Sequence, residues 1–183
     1  ISDLQYFAPF ISRINESFWI SGKVFGTISE LRGRNIEVSC LDSTYLDCDF
    51  DFSGLPEIEN SFIYFGVNDF RTSAEEIEKI SIQGNGPVKL PKIIHKMGII
   101  SFDGTFTGFT TDFVTFGKIR SDQGLLKTDI SMRPEESKRF RVNGLISGSD
   151  IALGYLLEQP ELIGNLSMNV DIDGVAYSLN RSS

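Results

Sequence analysis

Few residues in this 183-residue chain have the chemistry that catalysis requires. His95 is the only histidine, so a Ser-His-Asp triad would have to use it, and a zinc site built from several histidines is excluded. Lysines near His95 favour an exposed turn residue over a general base paired with a nucleophile. We therefore expect a protein that is not an enzyme and that holds no cofactor.

Three aspartates at alternate positions, Asp47, Asp49 and Asp51, are the strongest candidates for a metal site, because calcium needs several convergent oxygens. They lie in an extended segment instead of a loop, which favours a strand face in contact with water. The turn at 84–87 contains glycine but lacks the Lys-Ser/Thr pair of a phosphate-binding loop. The sequence therefore predicts no metal site.

The charge of the chain excludes one class of partner. It has 25 acidic and 17 basic side chains, which give a net charge of −8. Nucleic-acid binding requires a basic patch, and the sequence shows none. We therefore expect no nucleic-acid partner.

The elements that must position any site are strands, because the dominant pattern of the chain has a period of two residues. Between 45 and 53, polar side chains alternate with the apolar side chains of Leu46, Cys48, Phe50 and Phe52. Segment 35–40 alternates too, and a hairpin with Cys40 opposite Leu46 brings the two apolar faces together. That register sets Cys40 and Cys48 on a diagonal roughly 7–8 Å apart, beyond comfortable disulfide geometry, so we expect two thiols in the core.

The second half of the chain predicts a longer antiparallel meander, with strands at 113–120, 125–132 and 139–146. Placing Ile119 opposite Leu126 keeps the apolar side chains of the first two strands on one face. Placing Met132 opposite Phe140 extends this face to the third strand, while the other face is largely polar. The apolar face then contains Phe113, Ile119, Leu126, Ile130, Met132, Phe140, Val142 and Ile146.

Helical signals are few and short. A capping box at 73–76 predicts a helix with Ile77 and Ile80 on one side. Asp150 is placed to cap a second helix over 151–157. A third candidate, interrupted by Pro9, lies at 4–14, and a weak fourth candidate lies at 91–97. None of these helices is long enough to cover a sheet of this size.

The organisation of the chain indicates one structural unit. It begins at Ile1 and its last residues have a strand pattern, so we expect 1–183 to be a single segment of a longer protein. A faint repeat of strands that carry Gly26, Gly104 and Gly174 suggests internal units at 18–97 and 98–162 and the start of a further unit at 163–183.

An antiparallel sheet with one apolar face can pack against a second sheet, close into a barrel or remain an open groove. The periodicity does not separate these three architectures. A closed β-sandwich would suit an adhesin or a carbohydrate-binding module, with Trp19 and Tyr45 as the ligand platform. An open face would expose well above ~400 Å² of apolar surface, more than a soluble monomer normally leaves bare.

Several short motifs, in order along most of the chain, resemble the TamB family of translocation and assembly module proteins and their AsmA-like relatives. The first motifs are LDCDFDFSGLP at 46–56, FIYF at 62–65 and RTS at 71–73. The later motifs are FDGTFTGF at 102–109, DFVTFG at 112–117, DQGLLKTD at 122–129, LGYLL at 153–157 and IGNLS at 163–167. The succession of these motifs carries the resemblance.

The resemblance implies an all-β fold, a curved antiparallel meander that forms an open half-pipe (β-taco) with an apolar concave face and a few short helices. It implies a non-enzymatic envelope protein of diderm bacteria that carries lipid acyl chains between the inner and outer membranes or assists outer-membrane protein assembly. The implied partners are phospholipid and an Omp85-type barrel protein. The implied location is the periplasm, with the parent protein anchored in the inner membrane by a helix outside this segment.

Under this interpretation the apolar face stays open for acyl chains, and each buried methylene contributes about 0.8 kcal/mol. We expect the exposed edge strands of such a segment to self-associate. The predicted lipid groove is lined by Val38, Leu46, Cys48, Phe50, Phe52, Phe102, Phe106, Phe113, Ile119, Leu126, Ile130, Met132, Phe140, Val142 and Ile146.

Overall fold

The structure, a computed structural model, describes residues 18–79, 89–136 and 139–177. In these residues nine strands form one antiparallel sheet, and their order in the sheet is their order in the chain. They are β1 (Phe18–Thr27), β2 (Glu30–Cys40), β3 (Thr44–Ser53), β4 (Phe62–Ser73), β5 (Ile99–Phe109), β6 (Asp112–Ser121), β7 (Gly124–Glu135), β8 (Arg139–Ile151) and β9 (Leu166–Tyr177). Because β1 and β9 each have one neighbour in this sheet, the sheet is open. The predicted all-β antiparallel meander in an open half-pipe is confirmed.

The α-helices are short and lie at one end of the strands. α1 (Ala74–Lys79) and α2 (Lys92–His95) follow β4, α3 (Leu153–Leu156) follows β8, and a single 3₁₀ turn (Ile58–Asn60) follows β3. Connections of an antiparallel meander alternate between its two rims, so all three α-helices lie where the even-numbered strands end. We call this end the helical rim and the opposite end the hairpin rim. The described residues form no second sheet and no barrel, so those two alternatives are wrong for this part of the chain.

Residues directly opposite each other on neighbouring strands point to the same face of the sheet. The strand pairing therefore forms rows of side chains that cross the whole sheet on one face. One row crosses all nine strands through Val24, Gly33, Phe50, Phe65, Phe106, Thr115, Ile130, Gly144 and Ile172. The next row, on the opposite face, contains Phe25, Arg32, Asp51, Tyr64, Thr107, Val114, Ser131, Asn143 and Asp173. We call the face of the first row the inner face and the face of the second row the outer face.

A β-bulge in β2 preserves this alignment where the sequence changes phase. Leu31 has an odd residue number, whereas Ile36 has an even one, so a regular strand would place their side chains on opposite faces. The register shifts between Gly33 and Ile36, which returns both side chains to the inner face. At the bulge Asn35 has a φ of 49°, and its backbone N–H donates to Asp49 Oδ1 at 2.7 Å. The strand therefore begins well before residue 35, where the alternation alone had placed its start.

The β2–β3 hairpin differs from its predicted register by two residues. Cys40 lies opposite Thr44 and not opposite Leu46, because the strands are joined by the three-residue turn 41–43. A shift of two residues keeps every side chain on its own face, so alternation cannot fix the length of the turn.

The two cysteines are thiols buried within this hairpin, with 8% and 3% of their surfaces exposed for Cys40 and Cys48. They are separated along the sheet, since Cys40 pairs with Thr44 whereas Cys48 pairs with Ile36. Burial raises the pKa of Cys48 to about 11, and the neighbouring carboxylates of Asp47 and Asp49 add to the rise. At neutral pH Cys48 is therefore a protonated, unreactive core residue.

The meander of the second half follows its predicted faces. The predicted pairing of Ile119 with Leu126 is confirmed. Met132 lies opposite Val142 and not opposite Phe140, again a shift of two residues that preserves the faces. The cause is the continuation of β7 beyond residue 132, its predicted end, to Glu135.

The helix predictions succeed in part. In α1 the backbone N–H of Glu76 donates to Ser73 Oγ at 3.3 Å, as the capping box predicts. Asp150, however, caps no helix: it lies in β8, and its Oδ1 accepts a hydrogen bond from Asn165 Nδ2 at 2.6 Å. The second helix is the shorter α3, whereas α2 lies within the weak candidate at 91–97. Ile80 and segment 4–14 lie outside the described residues.

Glu76 holds α1 against the β2–β3 turn at the helical rim. Its carboxylate accepts hydrogen bonds from the backbone N–H groups of Asp42 (3.1 Å) and Ser43 (2.8 Å) and from the hydroxyl of Thr44 (2.5 Å). The residue is only 5% exposed. Burial alone would raise the pKa of Glu76, but these hydrogen bonds together hold it below its ordinary value. A charged carboxylate therefore joins two connections of the helical rim.

We expect Glu76→Ala to lower the free energy of unfolding by about 3 kcal/mol, because two backbone N–H groups and a hydroxyl lose their acceptor. Urea denaturation measures the loss. The matched control is Lys79→Ala on the same helix, which removes an exposed side chain that has no hydrogen bond or ion pair among the described residues and should change stability little. Equal losses for the two variants would contradict the role of Glu76.

Candidate functional site

The inner face brings together every residue predicted to line a groove. Direct pairings connect them across the sheet: Val38 lies opposite Leu46, Phe102 opposite Ile119, and Met132 opposite Val142. The register places all fifteen predicted residues on this one face. They form a continuous apolar surface that extends from β2 to β8.

The inner face is larger than the sequence reasoning predicted. The structure adds Ile20, Val24, Leu31, Ile36, Ile63, Phe65, Val67, Phe70, Met168, Val170 and Ile172. The sequence contained a signal for three of these residues, because Ile63, Phe65 and Val67 alternate in β4. The position of Phe70 was hidden by the bulge that follows Val67, since it changes the phase of the alternation.

Most of the inner face is only half-buried. Of the fifteen predicted residues, Cys48 alone is buried, and the other fourteen have intermediate exposure. A side chain flanked by neighbouring strands but not covered from above retains such partial exposure. Among the described residues, therefore, no layer packs on this face.

Aromatic rings lie flat on parts of the inner face, over glycines. A methyl group on Gly117 would come within 2.5 Å of Phe102 Cε2, and one on Gly33 within 2.3 Å of Phe50 Cε1. The ring of Phe50 also stacks on that of Phe52, with centroids 4.8 Å apart. The glycines therefore allow large side chains to form a smooth and shallow apolar lining.

The outer face carries most of the charges of the strands, and several of them form ion pairs with one another. Arg34 Nη2 lies 2.7 Å from Asp51 Oδ1, and Arg120 Nη1 lies 2.6 Å from Asp103 Oδ1. Asp49 accepts the Asn35 backbone N–H described above. In the described part of the chain, no group of three or more His, Cys, Asp or Glu residues could hold a metal ion.

The outer face also has an apolar patch that sequence reasoning missed. Phe62 and Phe109 meet edge to face at the hairpin rim, with ring centroids 5.7 Å apart. Val114 and Phe116 lie on the same face of β6, and all four side chains are exposed. In this part of β6, both faces carry apolar side chains. The alternation pattern identified the apolar side chains of the inner face only.

Trp19 and Tyr45, the proposed carbohydrate platform, both lie on the outer face with Ser39 between them. Trp19 is 56% exposed. The closed sandwich that would carry such a platform is not formed by the described residues.

The sequence predicted that His95 is an exposed turn residue. It is instead a half-buried residue of α2 that joins this helix to α1. Its Nε2 lies 3.1 Å from Glu78 Oε1, and its Nδ1 lies 3.3 Å from Glu75 Oε1. Hydrogen bonds to Glu75 and Glu78 raise the pKa of His95. In turn, the pKa values of both glutamates are lowered, chiefly by backbone hydrogen bonds and then by His95.

The comparisons with known proteins supply no relative: no family model, no curated protein and no solved structure matches the chain. The resemblance to TamB and AsmA-like proteins therefore stays a prediction. Among the described residues, no helix combines the length and the apolar character needed to cross a membrane.

The contact between α1 and α2 should depend on pH. Because the pKa of His95 is raised above 6.5 in the folded chain, its stabilising contact is complete below pH 6.5 and is lost as the pH rises through the raised value. The two glutamates have lowered pKa values, so their part of the contact is lost only as the pH falls below 4.5. NMR titration of the imidazole C–H signals measures the first transition.

Glu75→Gln combined with Glu78→Gln should return the pKa of His95 towards 6.5. The control is Glu57→Gln at the hairpin rim, which should leave the titration unchanged. An unshifted pKa in the unmodified chain would contradict the contact.

Proposed function

We propose that the inner face binds the acyl chains of lipids and that the chain belongs to a non-enzymatic protein of envelope biogenesis. In this proposal it carries lipid between the inner and outer membranes, or assists the assembly of outer-membrane proteins, or does both. The single observation that carries the proposal is the continuous apolar inner face of an open sheet, with no described layer on top of it.

The dimensions of the inner face suit a long alkyl chain. Nine strands spaced at about 4.8 Å give a sheet roughly 40 Å across. Its strands have 10 to 13 residues, or roughly 33–43 Å at about 3.3 Å per residue. Each methylene that leaves water contributes about 0.8 kcal/mol, so a partly covered chain is held without any specific pocket.

The chemistry of the inner face suits movement along it. The central row is apolar except for Thr115, whose hydroxyl donates to the carbonyl oxygen of Thr105 at 2.9 Å. That hydroxyl is therefore satisfied within the sheet. Contacts to methyl groups and rings have no preferred direction, so a bound alkyl chain meets no single deep energy minimum.

The proposed setting follows from the sequence resemblance alone. It places the chain in the periplasm as a part of a protein anchored in the inner membrane, with an Omp85-type barrel protein as partner. The apolar inner face supports the lipid part of the proposal and has no bearing on the barrel partner.

We expect Ile130→Asp to weaken acyl-chain binding by about tenfold or more, because it puts a carboxylate in the middle of the inner face. Binding is measured with a fluorescent fatty acid, and bound phospholipid by native mass spectrometry after incubation with phosphatidylethanolamine–phosphatidylglycerol vesicles. Val142→Arg tests the same face from β8.

The matched controls are Ser131→Asp and Asn143→Arg, which put the same charges at adjacent positions on the outer face. They should bind within about twofold of the unmodified chain, since a charge on the face in water removes no acyl contact. Circular dichroism verifies that all four variants fold. A chain that purifies without lipid and ignores both probes would refute the proposal, as would equal losses on the two faces.

A further inference from the structure

The edge strand β9 has a regular backbone and one unpaired side. Among the described residues it pairs only with β8, in unbroken register from the pair of Arg139 with Tyr177 to the pair of Gly148 with Met168. No described residue of β9 has a positive φ, and the inner-face side chain of Val170 is 46% exposed. A regular edge strand recruits a further strand unless charge, proline, a bulge or a cover prevents it.

The other edge strand, β1, is a poorer template for pairing. Its register with β2 shifts between Ser21 and Lys23, and Gly22 and Gly26 have φ values of 136° and 108°. A bulge and a lysine in the middle of a strand are two devices that protect a sheet edge. The two edges therefore differ, and β9 is the one suited to accept another strand.

Symmetry restricts how two copies of the chain can join through β9. A twofold axis perpendicular to the sheet reverses the strand direction, so the two β9 strands become antiparallel. The same rotation exchanges the two rims but leaves both inner faces on the same side. Two sheets of nine strands then form one continuous sheet with a self-complementary contact.

We propose that β9 pairs antiparallel with β9 of a second copy, with the twofold axis at Val170. Each residue then lies opposite the residue at the same distance from Val170 on the other copy. On the inner face, Val170 meets Val170 of the second copy, and Met168 meets Ile172. The inner face therefore continues across the contact, and the pairing does not depend on what this face binds.

The same register matches a large side chain with a glycine. Leu166 lies opposite Gly174 of the second copy, again on the inner face. A methyl group on Gly174 would have nothing within 4 Å, so the space above this glycine can receive the leucine side chain.

On the outer face, this register places a hydrogen-bond donor opposite each acid of β9. Asn169 lies opposite Asp171 of the second copy, so its amide can donate to that carboxylate. Ser167 lies opposite Asp173. The Ser167 Oγ accepts the backbone N–H of Asp150 at 3.1 Å, which leaves its hydroxyl proton for the carboxylate.

The acids also select the position of the axis. An axis at Asp171 or Asp173 would place that carboxylate opposite itself, and an axis at Ile172 would place Asp171 opposite Asp173. Like charges directly opposite each other destabilise a pair of strands. An axis closer to the start of β9 than Val170 would shorten the paired segment. The axis at Val170 therefore pairs the longest part of β9 without opposed acids.

Oxidative cross-linking of single cysteines tests the register. Val170→Cys places two thiols opposite each other on the axis, so this variant of the full chain should form disulfide-linked dimers on non-reducing gels. Ile172→Cys lies on the same strand and face but opposite Met168, and Val24→Cys lies on the other edge strand, where the valine is 60% exposed. Both controls should give at least about tenfold less dimer.

The unmodified chain controls for the two native thiols, and circular dichroism verifies that each variant folds. Efficient cross-linking of Ile172→Cys or Val24→Cys would overturn the proposal, as would a folded Val170→Cys variant that stays monomeric.

Charge at one outer-face position provides a test that needs no disulfide. Asn169→Lys puts an ammonium group opposite Asp171 of the second copy, whereas Asn169→Asp puts a carboxylate there. The dimer Kd, measured by analytical ultracentrifugation, should fall by about threefold to tenfold for the lysine and rise by a similar factor for the aspartate. Thr27→Lys and Thr27→Asp, at an exposed position of β1, should leave it within about twofold.

The pairing would be overturned by a chain that stays monomeric at every concentration. It would also be overturned if both charges at position 169 changed Kd in the same direction, or if species larger than a dimer formed, because the twofold contact closes on itself.

Discussion

The structure depends on one constraint: the phase of the side-chain alternation must agree in nine successive strands. A slip of one residue in any strand would move its entire apolar set to the outer face, where water and charged neighbours surround it. The chain corrects its phase locally, and the bulge between Gly33 and Ile36 is the clearest case. Without that bulge, Leu31 and Val38 would lie on opposite faces. The inner face is therefore a consequence of register and does not require a second layer.

The two rims of the sheet hold this register in different ways. At the hairpin rim, β1 and β2 are joined by a short turn and β3 and β4 by a loop that contains the 3₁₀ turn. At the helical rim, polar side chains bridge connections that are distant in sequence. Glu76 binds the β2–β3 turn, and Lys96 Nζ donates to the carbonyl oxygen of Tyr155 at 3.0 Å. Hydrogen bonds thus tie separate connections together at this rim, while the inner face remains uncovered by described residues.

The sequence predicted the faces well, because a period of two residues is a direct consequence of strand geometry. It predicted the pairing of Ile119 with Leu126, where a short turn leaves little freedom, and it missed the partner of Met132, where β7 runs on through Pro134. Turn length is decided by local backbone conformation, such as the φ of 58° at Leu41, which alternation does not encode. The same reasoning missed the role of His95, since its partners Glu75 and Glu78 come from another element. The periodicity alone could not distinguish an open sheet from a sandwich or a barrel. The resemblance carried by short strand motifs indicated the open sheet.

An uncovered apolar face has a consequence for stability. A sheet whose inner side chains are half-buried gains less hydrophobic free energy than one covered by a second layer, because that gain is proportional to the apolar area removed from water. Any alkyl chain on the inner face would bury part of the remaining area. A ligand that binds only the folded state stabilises it by an amount that grows with the ratio of the free ligand concentration to Kd. Occupancy and stability are therefore coupled on this face. Strong coverage would also resist release, whereas the shallow lining of rings over Gly33 and Gly117 limits how much of a chain can be enclosed. In the proposed function, this shallow lining lets cargo add stability and still leave.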